Sequence, residues 1–97
     1  MRYSAETTAP AGEIMRRARE AFGPTGAGLQ LTSTDLLNVT YSHPSGYVSV
    51  NIEPNRGGNT VVVETREFDD PAVRFLGTLP RRSLLSQLVR RFRRSKT

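Results

Sequence analysis

A single imidazole, His43, lies between two hydroxyls in the run Ser42-His43-Pro44-Ser45. A serine nucleophile needs a base within hydrogen-bond reach, so this is where nucleophilic catalysis would have to be built. The run also has the composition of a turn, and a solvated turn histidine is the expected state. Acid–base chemistry would need two carboxylates meeting in a cleft. Glu53, Glu64 and Glu67 are the candidates, but Glu53 and Glu64 read as neighbours on the polar face of a sheet, offset by Arg66. The chain has no cysteine, which removes thiolate nucleophiles, thiolate metal sites and disulfides. One histidine without an Asp-x-Asp-x-Asp loop leaves no ligand set for zinc or calcium. The G-x-G of Gly23-Pro24-Thr25-Gly26-Ala27-Gly28 follows a helix and precedes a strand, the reverse of a phosphate loop. Asn38-Val39-Thr40 fits the glycosylation pattern but falls in a strand. The chain is therefore read as a non-enzyme with no metal and no cofactor.

The remaining chemistry is cationic. Residues 1–70 hold all nine acidic residues against six arginines, whereas residues 71–97 hold eight basic residues and no acid. This asymmetry favours acidic or polyanionic partners. The stretch PRRSLLSQLVRRFRRSKT, residues 80–97, carries seven of these charges. At 100° per residue, Leu84, Leu85, Leu88, Val89 and Phe92 share an arc of about 140°, and Arg90, Arg91, Arg93 and Arg94 fall outside it. The spacing predicts a basic amphipathic helix over 80–94. Its apolar side is expected to cover the domain's own core. Its free side presents Arg90, Arg91, Arg93, Arg94 and Lys96 as the candidate polyanion-binding residues.

These residues need a scaffold, and 97 residues make one small domain spanning 1–97. Such a chain buries roughly 60–65% of its unfolded surface, enough for one thin core. Residues 2–8 alternate as a strand. Ile14, Ala18, Ala21 and Phe22 then mark one face of a helix, with Arg16, Arg17, Arg19 and Glu20 mostly opposite. Gly23 and Pro24 are read as its left-handed cap and stop. Four strand-like segments follow, joined by Thr34-Asp35, His43-Pro44-Ser45-Gly46 and Pro54-Asn55-Arg56-Gly57-Gly58. Joints this short imply an antiparallel meander. Leu29, Leu31, Leu37, Val39, Tyr41, Val48, Val50, Ile52, Val61 and Val63 are assigned to a covered face. Thr, Asn, Ser, Gln and Glu side chains make up the other. Asp70 is read as the cap of a last helix with Pro71 in its first position, broken near Gly77-Thr78-Leu79-Pro80 and restarted at Pro80. The fold class is α+β: a single antiparallel sheet of about five strands, helices on one face, in the order β-α-β-β-β-β-α.

This order resembles one repeat of the TATA-box-binding protein and, in larger form, the START-like (SRPBCC, helix-grip) superfamily. The local likeness lies in RYSAETTAPAGEIMRRAREAF, where a first strand runs through Ala9-Pro10-Ala11 into a helix opened by an acid and an aliphatic residue. The late arginine-rich helix is similar to the grip helix. The START-like resemblance implies an apolar ligand held between sheet and helix, although about five strands leave little room where that family has a six-stranded return sheet. The TATA-box-binding repeat comes as a covalent pair whose saddle carries apolar residues and phenylalanine wedges, so specific minor-groove kinking is not implied for this chain. Here the open face is polar, with Phe68 as its one candidate wedge.

The expected function is a small non-enzymatic binding module contacting nucleic acid or another polyanion through the C-terminal arginines. The alternative is a reduced START-like domain binding a small apolar ligand or lipid between sheet and helix. An acidic protein would meet the same arginines. A membrane surface ranks lower, because insertion competes with packing for the same leucines. The polar sheet face is open to a second copy of the chain. The start, MRYSAETTAP, lacks the apolar core of a signal peptide, so a cytoplasmic location is expected.

Overall fold

In a computed structural model, residues 1–81 form strand β1 (Arg2–Thr7), helix α1 (Ala11–Phe22), strands β2 (Gln30–Thr34), β3 (Asn38–His43), β4 (Gly46–Asn55) and β5 (Gly58–Arg66), and helix α2 (Asp69–Thr78). These are the residues the structure describes. The strands form a single antiparallel sheet in the order β1-β5-β4-β3-β2. The expected α+β architecture and element order are what the chain adopts. Two-residue turns link β3 to β4 and β4 to β5, since His43 pairs with Gly46 and Asn55 with Gly58. Gly58 has φ +146°, and a Cβ there would collide with the Thr7 carbonyl, so glycine lets β5 lie against β1.

Both helices pack on one face. Ile14, Ala18 and Phe22 of α1 and Ala72, Phe75 and Leu76 of α2 meet Val48, Val50, Ile52, Val61 and Val63 of β4 and β5. Each large side chain removed from water contributes roughly 1.5–3 kcal/mol before the entropic cost. Phe22 is central. Its ring lies 5.2 Å from Phe75, edge-on, and 6.1 Å from Tyr41.

Polar ties fix the ends of α1 and α2. The Thr7 hydroxyl donates to the Pro80 carbonyl and accepts from the Ala9 N–H at 3.1 Å. The Thr8 N–H reaches the same carbonyl at 3.3 Å. The buried Asn59 amide donates to the Ala9 carbonyl at 2.9 Å, tying β5 to the approach to α1.

Four local expectations are corrected. Gly23 is extended (φ −67°, ψ −174°) rather than left-handed, and Gly28, at φ +87°, supplies the left-handed turn. The loop between them folds over the end of α1 through Ala27 N–H to Ala21 O and Leu29 N–H to Phe22 O, both 2.9 Å. Asp70 does not cap α2. The helix begins at Asp69 with Phe68 in the cap position and no side-chain cap, because Glu67 adopts φ +76° and turns the chain two residues early. Both acids still occupy the first turn, where the helix dipole favours them. The same turn carries Phe68 to the helix side, packed against the core and edge-on to His43 at 5.5 Å, so it is no wedge on the open face. Finally, Leu31 and Leu37 of the assigned covered face are 54% and 38% exposed.

Candidate functional site

Arg90, Arg91, Arg93, Arg94 and Lys96 lie outside the described residues, as does the expected helix at 80–94 beyond Arg81. Pro80 and Arg81 themselves are not helical, and α2 ends at Thr78. No helix among the described residues is long and apolar enough to cross a membrane.

His43 is not aligned with a hydroxyl. Its Nδ1 accepts the Ser45 backbone N–H at 3.0 Å. The Ser42 hydroxyl sits on the opposite sheet face, 3.1 Å from that of Thr32. Glu64 pairs with Arg2 of β1 at 3.6 Å, rather than with Arg66. Glu53 stands opposite Thr60, four residues from Glu64 along β5, which separates the two carboxylates by roughly 13 Å of strand. Among the described residues no three His, Asp or Glu side chains gather where they could hold a metal ion.

The open sheet face bonds largely to itself. The Thr40 hydroxyl donates to Ser49 Oγ at 3.3 Å, and the Asn38 amide donates to Asn51 Oδ1 at 3.4 Å. Val62 is an aliphatic residue on this face, nearly buried between its register partners Ser4 and Asn51, and Tyr47 lies half-exposed on the same face.

Among the described residues, a groove of about 820 Å³ lies between α1 and α2. From α2 it is lined by Phe68, Pro71, Arg74, Phe75 and Thr78, and from α1 by Arg16, Arg17, Glu20 and Ala21. Gly26 and Ala27 of the loop after α1 complete the lining. Glycine is required at 26, because a Cβ would strike the Glu20 and Ala21 carbonyls at the end of α1. The groove lies between the two helices, whereas the layer between α1, α2 and the central strands is filled by Phe22, Phe75, Ile14 and the valines. A smaller hollow of about 260 Å³ does lie between helix and sheet, where Met15 and Arg19 of α1 face Leu31 and Tyr41.

The groove's cations differ in what holds them. Arg16 is bound to Glu13 and Glu20, each at 2.5 Å. The hydrogen bond from Arg16 lowers the Glu13 pKa below its ordinary value, and Glu13 in turn raises that of Arg16. Arg17 spans the groove: one terminal nitrogen donates to the Thr78 carbonyl at 2.5 Å and the other to Glu13 at 3.3 Å. Its Nε is buried with no acceptor among the described residues. Arg74 is exposed and makes no ion pair or hydrogen bond among the described residues. Elsewhere, burial raises the Tyr41 pKa, and burial followed by the Asp69 and Asp70 charges raises that of Tyr3.

Sequence reasoning placed Arg17 with the solvent-facing residues of α1. The missed signal is its spacing: position 17 is three after Ile14 and four before Ala21, at the flank of the apolar stripe. Comparison of the chain with protein-family models, with curated proteins and with solved structures finds no significant match in any of the three.

Proposed function

We propose that this chain is a small non-enzymatic binding module that contacts a polyanion, most simply nucleic acid, through Arg90, Arg91, Arg93, Arg94 and Lys96. One contrast carries the reading. Residues 1–81 hold eight arginines against all nine acids, and Arg2, Arg16 and Arg17 of that set are already paired with glutamates. Residues 82–97 hold six basic residues and no acid. The charge left for an outside partner is concentrated there.

Arginine binds phosphate through a planar fork of donors, and contacts to the backbone of a nucleic acid carry little sequence information. Four such contacts predict that log affinity for an arbitrary duplex falls with log salt at a slope of about −3 to −4. The measurement is a salt titration of duplex binding by the full chain. Changing Arg90, Arg91, Arg93 and Arg94 together to Ser should remove most of the slope. A flat salt dependence, or affinity unchanged by the fourfold substitution, defeats the reading.

A further inference from the structure

We propose that the groove between α1 and α2 binds a small amphiphilic anion, a carboxylate with an apolar body, whose head is held by Arg74 and Arg17. This site is separate from the basic C-terminal residues and does not rest on their role.

The volume of about 820 Å³ lies within the range of small-molecule sites. The lining is divided along its length. Thr78 lies one turn after Arg74 on the same side of α2, and Arg17 reaches across to the Thr78 carbonyl. Both arginines therefore occupy the half of the groove near the end of α2. Phe68 and Pro71, at the start of α2, make the other half apolar. On the α1 side the small Ala21, with Ala27 of the loop, leaves room for the body of a ligand.

The donor balance selects the charge of the occupant. The Arg17 Nε is buried out of a ligand's reach, but each of its terminal nitrogens has a second N–H beyond the bonds to Thr78 and Glu13. Arg74 has no acceptor among the described residues. Glu20 is the one acid lining the groove, and it is already held by Arg16. A carboxylate offers two oxygens, one for each arginine, in charge-assisted hydrogen bonds. A neutral apolar ligand leaves the two guanidinium groups without a counter-charge, and a cation is repelled.

The test is calorimetric titration of the full chain with decanoate, below its micelle concentration, beside decanol and decylammonium. Decanoate should bind at one site, decanol at least tenfold more weakly and decylammonium not at all. Arg74→Ser, an exposed position, should weaken decanoate binding about tenfold, one charge-assisted contact, without altering the unfolding temperature. The variant with Arg90, Arg91, Arg93 and Arg94 changed to Ser should bind decanoate as the unmodified chain does. No binding by the full chain, binding indifferent to Arg74→Ser, or binding abolished by the fourfold variant overturns the proposal.

Discussion

The two ends of the sheet begin from similar strand chemistry and are treated differently by the helices. At the β5 end, Val61 and Val63 lie under α1 and α2 and are fully buried. At the β2 end, Leu31 pairs with the buried Tyr41 and so faces the same side, yet it is 54% exposed. Every residue of β2 is exposed. The cause is width. A helix with its side chains is about 10 Å across and strands are about 4.8 Å apart, so two helices cover roughly four strands of five. Here α1 lies toward β4 and α2 toward β5 and β1, and β2 is the strand left over among the described residues. Its bulge between Leu31 and Ser33 adds twist at that edge, a common protection against edge-to-edge pairing.

The largest expected effect tests this contrast directly. Phe22→Ala removes the ring that joins Phe75 to Tyr41 and should cost about 3–5 kcal/mol in urea unfolding followed by circular dichroism. That is a large share of the roughly 5–15 kcal/mol typical of a domain. Leu31→Ser at the open end should cost no more than about 0.5 kcal/mol. Comparable losses from the two changes would mean that the β2 end is covered in solution.

A second pair sharpens the comparison between the two sheet faces. Asn59→Ala deletes the buried donor to the Ala9 carbonyl and should cost about 1–3 kcal/mol, because the carbonyl is left without its partner. Thr40→Val deletes a hydroxyl of similar bonding, 3.3 Å from Ser49, on the face open to water. Water can replace that bond, and valine suits a strand, so the change should lie within about 0.5 kcal/mol of zero. Equal losses in the same unfolding assay would show that the polar face is as dry as the helix side.

Alternation and turn chemistry made the sheet readable in advance. His43-Pro44-Ser45-Gly46 and Asn55-Arg56-Gly57-Gly58 admit few arrangements other than tight hairpins, and Val48, Val50, Ile52, Val61 and Val63 then fall on one side. The lateral position of the helices was not readable, because periodicity reports which face of a strand is apolar and not what lies above it. Leu31 was assigned correctly to a side and wrongly to a covered surface for this reason, and Leu37, just before β3, is exposed as well. The groove was hidden for a related one. Ala21 belongs to the same stripe as Ile14 and Phe22, but its outward flank faces the gap beside α2 rather than the sheet. Arg17 looked like a solvent residue because its charge outweighed its position. The polar face was legible as a surface, whereas its internal bonding depends on register, which the sequence specifies only once the turns are known.

The smallest expected difference between two variants concerns how the covered end acquires its second helix. Glu67 adopts φ +76°, a region where a side chain is strained and glycine is not. The residue is exposed and directs the chain from β5 into α2. Replacing it with glycine relieves roughly 1–2 kcal/mol of strain. It also adds about 0.5–1 kcal/mol of backbone entropy to the unfolded state, which opposes the gain. The net expectation for Glu67→Gly is a stabilisation of up to about 1 kcal/mol, a small upward shift in the unfolding temperature. Glu67→Ala keeps the strain and should give no such gain, since the contribution lies in the backbone and not in the carboxylate. A loss of stability in the glycine variant alone would mean that the turn into α2 depends on stiffness rather than on conformational fit. The covered end would then owe its helix to a rigid joint as much as to the burial of Phe75.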